Sequence, residues 1–273
     1  MDIKMIALDL DGTLLRSNET ISARNREALS RAINRGVHVV IASGRPHCAL
    51  PSQLLSIPGI EYAITSNGSS IFDLRDNRRI CGIDMRAETI DTLLPVIEEA
   101  DFPCEAAIDG ECYTPAAYYA NPTAFSLPAR MFHYVRSTRR PVTDIPALVR
   151  ENRSRIEGLF FIIPDQEQKA RVYEQIRRAP SLYITSSTYY YLEMANSLVS
   201  KASAIDSLAR RLGFSSQQVI SFGDSTNDLE MIQSCGTGVA MGNASDDLKA
   251  AADLIAPSNN EDGVACVIEK LIL

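Results

Sequence analysis

The chain has 273 residues, of which 45% are hydrophobic and 22% charged, and its formal net charge is −7. This length and composition are sufficient for the core of one large domain or of two smaller ones. The acidic balance disfavours nucleic acid and anionic membranes as partners, since both attract lysine and arginine clusters. No apolar run approaches the roughly 20 residues that a membrane-spanning helix needs, and the first residues lack the pattern of a signal peptide. We therefore expect a cytoplasmic protein, and a homo-oligomer is compatible with these properties.

Six cysteines are scattered along the chain without the paired spacing of a zinc site or a redox motif. The three histidines do not complete a metal-site spacing either. We expect these cysteines to be small buried or half-buried thiols that stay reduced.

Three short apolar runs near the N-terminus predict buried strands: Ile3–Asp9, Val37–Ala42 and Tyr62–Thr65. Ser22 is placed to cap a helix that runs to about Arg35. Strands that alternate with helices predict a parallel sheet with helices on both faces. In such sheets, ligands bind beyond the carboxyl ends of the strands.

From about Gly82 to Leu192 the pattern changes to that of an α+β segment. Helices are predicted over Ala87–Ala100 and near Glu167–Arg178, and a proline- and aromatic-rich stretch lies between them. The predicted strands of this segment are Cys104–Ile108, Glu111–Thr114, Gly158–Ile163, Tyr183–Ser187 and Tyr189–Leu192.

After this segment the strand–helix alternation returns. The predicted strands are Gln218–Phe222, Gly238–Met241 and Leu254–Ala256, and the predicted helices are Lys201–Leu212, Asp228–Ser234, Asp246–Ala252 and Gly263–Ile272. The sequence therefore predicts an α/β fold in which residues 1–82 and 193–273 form a Rossmann-like, doubly wound parallel sheet. Residues 83–192 form a second, inserted α+β domain.

Two aspartates, Asp9 and Asp11, follow the first predicted strand and are themselves followed by Gly12 and Thr13. Carboxylates at positions i and i+2 leave a strand on the same side, where a cation or a shared proton must relieve their repulsion. Glycine permits a tight turn, and threonine offers both an N–H and a hydroxyl. A pair of this kind also occurs in solvated turns, but the preceding apolar strand favours a functional site.

The run Gly223–Asp228 also follows an apolar strand, and it places Asp224 and Asp228 one helical turn apart. Four acids from two strand ends offer the oxygen ligands that a hard ion such as Mg²⁺ prefers. The alternative is that Asp224 and Asp228 only cap the N-terminus of a helix, as carboxylates often do.

Two further features are weak in isolation. The run Ser43–Arg45 follows the second strand and can form a small anion cradle from a hydroxyl and backbone N–H groups, although such turns are common. Lys201 begins a predicted helix, and a single lysine is usually a surface residue.

In combination these features resemble the four signature motifs of the haloacid dehalogenase superfamily. The motifs occur in the family's order, and the α+β insert lies where the Cof-type branch (subfamily IIB) has its C2-type α/β cap. The four motifs are Asp9–Leu15, Ser43–Arg45, Lys201 and Gly223–Asp228. Segments that resemble the Cof-type branch are Thr65–Gly68, Ala240–Ala244 and Asn259–Val264.

The resemblance implies a Mg²⁺-dependent phosphatase of small phosphorylated metabolites, such as sugar phosphates, pyridoxal phosphate or flavin mononucleotide. Asp9 would be the nucleophile that forms an aspartyl-phosphate, and Asp11 the general acid and base. The metal would be held by Asp9, the backbone carbonyl of Asp11 and Asp224, with Asp228 as a supporting acid. The residues implied to bind phosphate or substrate are Gly12, Thr13, Ser43, Gly44, Arg45, Asn67, Lys201 and Asn227.

The chain departs from the family pattern beside Lys201, where Leu198 and Ala202 replace glycines that the family usually has. Leu198 would alter the loop if its backbone required a positive φ. Two alternatives stay open at this stage. One is a sugar phosphomutase, which also uses an aspartyl-phosphate, and the other is a non-catalytic phosphometabolite-binding protein, which the presence of Asp9 and Asp11 disfavours.

Overall fold

The computed structural model describes residues 2–186 and 188–273, apart from the side chain of Arg130. Contacts within the chain divide it into two compact units. The first unit comprises Met1–Gly44, Leu50–Cys81 and Ser200–Leu273, and the second comprises Arg45–Ala49 and Gly82–Val199. The predicted insert, residues 83–192, lies within the second unit.

Fourteen strands occur in the described residues. In chain order they are β1 (Met5–Leu8), β2 (His38–Ala42), β3 (Ile60–Thr65), β4 (Ser70–Asp73), β5 (Arg78–Gly82), β6 (Cys104–Ile108), β7 (Glu111–Pro115), β8 (Arg140–Val142), β9 (Ile156–Ile162), β10 (Leu182–Thr185), β11 (Tyr191–Asn196), β12 (Val219–Gly223), β13 (Thr237–Ala240) and β14 (Leu254–Ile255).

Eleven α-helices accompany these strands within the described part of the chain. They are α1 (Ala23–Asn34), α2 (Ser52–Leu55), α3 (Ala87–Glu98), α4 (Ala116–Ala120), α5 (Arg130–Thr138), α6 (Ile145–Glu151), α7 (Gln166–Ile176), α8 (Lys201–Arg211), α9 (Leu229–Ser234), α10 (Asp246–Ala251) and α11 (Gly263–Leu271).

The first unit is built on an eight-stranded sheet in the order β14-β13-β12-β1-β2-β3-β4-β5. The strands from β14 to β3 are parallel, and β4 is antiparallel to β3. Alternate residues of the central strand β1 enter two different cores. Ile6 and Leu8 pack in one core with residues of α1 and α11, whereas Met5 and Ala7 pack in another with residues of α8. Helices therefore cover both faces, and the predicted α/β fold class is confirmed.

The second unit has a six-stranded sheet in the order β10-β11-β9-β6-β7-β8. Its strands pair antiparallel except for β7 and β8, which are parallel. One face packs against α3, α6 and α7, and the other packs against aromatic and aliphatic side chains of α4 and α5, including Tyr118 and Val135. Helix α4 lies in the proline- and aromatic-rich stretch and α5 begins in it, and the sequence analysis predicted no element for either.

Several local predictions were wrong or incomplete. The predicted strand Tyr189–Leu192 begins too early, because residues 188–190 form a bend and turn and β11 begins at Tyr191. Ser187, the last residue of another predicted strand, lies outside the described residues. Strands β4 and β5 were not predicted. Cys81 is exposed, although the expectation for all six cysteines was burial or partial burial.

The sequence analysis expected Leu198 to alter the loop before Lys201 if its backbone required a positive φ. Leu198 is not among the non-glycine residues that have a positive φ in the described part of the chain. Its side chain therefore causes no strain of the left-handed backbone conformation. Its exposed side chain projects into solvent, and its N–H donates to the Asn196 side chain at 3.0 Å.

Over residues 2–186 and 188–273, no helix combines the length and apolar character needed to cross a membrane.

Candidate active site

Four parallel strands of the first unit, β1, β2, β3 and β12, are adjacent and end at the same edge of the sheet. The residues that follow them are Asp9 after β1, Ser43 after β2, Ser66 after β3 and Asp224 after β12. The Asp9 N–H donates to the Phe222 carbonyl at 3.1 Å, which holds the ends of β1 and β12 together. The strand ends therefore place side chains from distant parts of the sequence at one edge.

The chain turns tightly after β1. The Leu14 N–H donates to the Asp9 carbonyl at 3.3 Å, and the Leu15 N–H donates to the Leu10 carbonyl at 2.8 Å. All three leucines are fully buried, so they anchor the turn in the hydrophobic core. Gly12, between them, has a φ of 77°, which an L side chain rarely adopts. We call residues 9–15 the nucleophile loop.

Lys201 is buried and paired with two carboxylates, contrary to the usual surface position of a lysine. Its Nζ lies 2.6 Å from the Asp9 Oδ1 and 2.6 Å from the Asp228 Oδ1. It is the first residue of α8, whose N-terminus is capped by Ser200 in a reciprocal arrangement with Ser203. The cap fixes the point at which the helix begins, and therefore the point from which the lysine side chain extends.

Asp228 binds both Lys201 and the backbone of the loop that follows β12. Its second oxygen, Oδ2, accepts hydrogen bonds from the backbone N–H groups of Asp224 and Ser225, at 2.9 and 3.0 Å. Gly223 is required here, because a Cβ at that position would lie 2.4 Å from the Asp228 Cβ. One carboxylate therefore binds both the backbone before a helix and Lys201, so capping by Asp228 does not exclude a role in the site, and that role remains a prediction.

Three carboxylates, those of Asp9, Asp224 and Asp228, present oxygens that lie within 4.8 Å of one another. Burial raises the pKa of Asp9 well above its usual range, with Lys201 opposing this effect and Asp228 adding to it. Burial and the neighbouring Asp228 raise the pKa of Asp224 to about 7. Burial would lower the pKa of Lys201, but Asp228 and Asp9 hold it above its usual range.

The cluster contains one buried cation and three carboxyl groups, so negative charge is left over when all three carboxyl groups are ionised. Oxygen donors with excess negative charge are what a hard divalent cation requires, so this donor set fits Mg²⁺. Within the described residues the side chain of Asp11 does not belong to the group of three, and the expected ligand is its backbone carbonyl. That ligand role remains a prediction.

Thr13 and the two predicted asparagines lie around this charged cluster in the first unit. The buried Thr13 hydroxyl donates to the Asp224 Oδ1 at 3.4 Å. The Asn227 Nδ2 donates to the Asn67 Oδ1 at 3.0 Å, and both side chains are buried. The Asn67 N–H in turn donates to the Ser43 carbonyl at 3.1 Å. The residues predicted from three separate motifs are thereby connected.

The remaining predicted residues are Gly44, Asp11 and Arg45. Gly44 follows Ser43 and is half-buried, while Asp11 is exposed. Arg45 belongs to the second unit, where its guanidinium donates to the Ala49 carbonyl at 3.2 Å and lies 5.2 Å from the centre of the Tyr134 ring. The role of Arg45 in substrate binding stays a prediction.

Two side chains near the nucleophile loop were not predicted as site residues. The Asn243 Nδ2 donates to the Gly12 carbonyl and the Asn259 Nδ2 to the Leu15 carbonyl, both at 2.8 Å. Their segments were visible in the sequence as features that resemble the Cof-type branch. The resemblance implied no role for these two asparagines. Their hydrogen bonds join residues more than 200 positions apart, and such contacts leave no local pattern in the sequence.

Comparisons with known proteins were made over the whole chain. A family model for haloacid dehalogenase-like hydrolase matches residues 6–268. A 5-amino-6-(5-phospho-D-ribitylamino)uracil phosphatase of Bacillus subtilis (strain 168) is 30% identical over 276 residues, which cover 100% of this chain and 97% of the relative. A pyridoxal phosphate phosphatase of Escherichia coli (strain K12) is 28% identical over 272 residues, which cover 97% of each. The solved structure of a haloacid dehalogenase-like hydrolase from Bacteroides thetaiotaomicron has a TM-score of 0.82 at 29% identity, and covers 99% of this chain and 100% of that one.

Proposed function

The chain belongs to the haloacid dehalogenase-like hydrolases of Cof type, which makes it a phosphatase acting on phosphorylated metabolites, and we propose that it is Mg²⁺-dependent and uses Asp9 as its nucleophile. The observation that carries this proposal is the buried Asp9–Lys201–Asp228 cluster beside Asp224. A buried carboxylate held by a lysine and surrounded by further acids is costly for the fold, and such costs concentrate at functional sites.

In the proposed first step, a carboxylate oxygen of Asp9 attacks the phosphorus of the substrate. A bond forms between this oxygen and phosphorus, and the bond between phosphorus and the leaving alcohol oxygen breaks. Asp11 gives its proton to that oxygen, so the product leaves as a neutral alcohol. Because Lys201 already binds the Asp9 Oδ1, the Asp9 carboxylate is fixed in orientation before the substrate arrives.

In the second step, water attacks the phosphorus of the aspartyl-phosphate. Asp11 accepts the proton of this water, the bond between phosphorus and Asp9 breaks, and inorganic phosphate leaves. Thr13, Ser43, Lys201 and Asn227 would supply donors to the phosphate oxygens. Mg²⁺, when bound by Asp9, Asp224 and the Asp11 carbonyl, supplies positive charge that offsets the charge of the phosphate and of the cluster.

The substrate is proposed only as a class of small phosphomonoesters. The two curated relatives are named for 5-amino-6-(5-phospho-D-ribitylamino)uracil and for pyridoxal phosphate, at 30% and 28% identity. Nearly equal similarity to enzymes named for different substrates gives no reason to choose one. The phosphomutase alternative would share the aspartyl-phosphate, but the names of the relatives favour hydrolysis over it.

The test is the release of inorganic phosphate from a panel containing 5-amino-6-(5-phospho-D-ribitylamino)uracil, pyridoxal phosphate, flavin mononucleotide and several sugar phosphates. With Mg²⁺ we expect release from at least one member, and with EDTA we expect a rate at least about tenfold lower that excess Mg²⁺ restores. An isomerised sugar phosphate with little free phosphate would instead identify a mutase. Release that EDTA does not affect would contradict the metal requirement.

Gly12 gives a separate test of the metal ligands. A Cβ at this position would lie 2.2 Å from the Asp224 Oδ2, so Gly12→Ala must displace the Asp224 carboxylate. We expect the apparent affinity for Mg²⁺, measured from the Mg²⁺ dependence of turnover, to fall by about tenfold or more because ligand placement is disturbed.

The matched control is Gly213→Ala. Gly213 has a φ of 90°, close to the 77° of Gly12, but a Cβ there would meet nothing within 4 Å. Both substitutions therefore carry the cost of a left-handed alanine, on the order of 1–2 kcal/mol, and only Gly12→Ala adds the collision. Equal Mg²⁺ affinities in the two variants would show that Asp224 is not a ligand.

A further inference from the structure

The C-terminal part of the first unit holds the nucleophile loop through side chains that the proposed reaction does not use. The Asn243 Nδ2 donates to the Gly12 carbonyl at 2.8 Å, and its Oδ1 accepts from the Asn259 N–H at 2.9 Å. The Asn259 Nδ2 then donates to the Leu15 carbonyl at 2.8 Å. The two asparagines thus form a continuous bridge whose two ends are bound to one loop.

The bridge acts at the residue of the loop with the greatest backbone freedom. Gly12 lacks a Cβ and adopts a φ of 77°, so hydrogen bonds must hold its peptide group in one orientation. The Thr13 N–H of this peptide donates to the Leu10 carbonyl at 3.3 Å, and Asn243 adds a shorter bond to the Gly12 carbonyl. Because the peptide is planar, holding the Gly12 carbonyl also fixes the direction of the Thr13 N–H. The Thr13 side chain contacts Asp224, so the orientation of this peptide affects two of the proposed site residues.

The rest of the same segment is attached to residues just beyond the loop. Asp262 forms an ion pair with Arg16 at 2.6 Å. The Asn260 Oδ1 accepts from the Ser17 N–H at 3.1 Å, and its Nδ2 donates to the Ser17 hydroxyl at 2.9 Å. These contacts do not reach residues 9–15. They show that the segment lies along the loop for several residues, and they provide a natural comparison.

We propose that Asn243 and Asn259 are positioning residues for phosphoryl transfer, which fix the nucleophile loop so that Asp9 is presented to the substrate in one orientation. This inference rests on the proposed function for its effect on rate, although the hydrogen-bonded bridge itself does not. Neither asparagine is proposed to touch the substrate. Their effect is transmitted through the carbonyls of Gly12 and Leu15.

The test compares Asn243→Ala with Asn260→Ala. Both asparagines are exposed and lie in the same C-terminal part of the unit, but only the first is bonded to the nucleophile loop. Two quantities are measured: hydrogen exchange of the amides of residues 10–15, and kcat and KM for p-nitrophenyl phosphate at saturating Mg²⁺. For Asn243→Ala we expect faster exchange in the loop and a kcat about tenfold lower with little change in KM, since misplacement of a reacting group costs rate. For Asn260→Ala we expect wild-type values.

Asn259 is buried, so Asn259→Ala serves as a second variant whose global stability must be measured alongside. Unchanged loop exchange in Asn243→Ala would overturn the proposed bridge. Faster exchange with an unchanged kcat would show that the bridge is structural only, and would overturn the positioning role. If the wild type fails to hydrolyse every substrate offered, the proposed function fails, while the exchange measurement still decides whether the bridge holds the loop.

Discussion

Replacing Asp9 with asparagine is expected to lower kcat by at least about ten-thousandfold, because a carboxamide cannot take the place of the attacking carboxylate. The substitution is nearly isosteric, and Lys201 keeps its second partner, Asp228, at 2.6 Å. We therefore expect the variant to fold. The measurement is phosphate release under the conditions that give the highest wild-type rate, combined with mass spectrometry of rapidly quenched enzyme to detect the aspartyl-phosphate in the wild type only.

The matched control for this substitution is Asp206→Asn. Asp206 lies in α8, the helix that Lys201 begins, but it pairs at 2.6 Å with Arg210, and the two side chains are 34% and 75% exposed. An exposed pair within one helix contributes little, so this variant should keep the wild-type rate. Asp9→Glu is a useful companion, because it retains the charge while moving the attacking oxygen by one methylene. A rate within tenfold of wild type for Asp9→Asn would contradict the nucleophile assignment.

The core of the first unit could be predicted from the sequence because its strands are buried on both faces. All four residues of β1 are buried, which produces the continuous apolar run by which it was recognised. Helix α1 was predicted for a similar reason, since the Ser22 hydroxyl accepts the Asn25 N–H and marks the helix start as expected. Patterns of this type arise from burial and capping, and both are local properties of the sequence.

Strands β4 and β5 could not be predicted in the same way. In strand β4 only two apolar residues lie between Ser70 and Asp73, and β5 at the sheet edge is largely exposed. Helices α4 and α5 escaped prediction because their aromatic residues are weak helix formers, and the helices gain stability from packing on a sheet that only forms in the folded state. Whether these strands and helices form depends on tertiary contacts, which the local sequence does not show.

The candidate site likewise contains residues whose position the sequence could predict and residues whose position it could not. Asp9, Asp224 and Asp228 follow strand ends, so the sequence could predict that they meet. Lys201 required the resemblance to a family, since nothing around it indicates that it is 1% exposed and paired with two acids. The bridge from Asn243 through Asn259 depends on long-range hydrogen bonds alone, which only the folded chain defines.

The largest effect on stability is expected in the second unit, for Arg139→Met. The Arg139 Nε donates to both carboxylate oxygens of Glu105 at 3.0 Å, and the two side chains are 3% and 0% exposed. The guanidinium also lies 4.7 Å from the centre of the Tyr134 ring. Methionine fills much of the same volume but leaves the Glu105 carboxylate buried without its cation. We expect the free energy of unfolding to fall by about 3–5 kcal/mol, as measured by native-state hydrogen exchange of β6 and β9.

The neighbouring residue supplies the control, because Arg140 also pairs with a glutamate. Its bonds to Glu111, at 2.9 and 2.7 Å, resemble those of Arg139 in length but lie in solvent. Arg140→Met should therefore leave the stability of the unit close to that of the wild type. The double variant Glu105→Leu, Arg139→Met removes both charges and should recover much of the lost stability, since the cost arises from the unpaired carboxylate rather than from the absence of an attraction. If the double variant were as unstable as Arg139→Met alone, the loss would instead come from the packing of Arg139 against Tyr134.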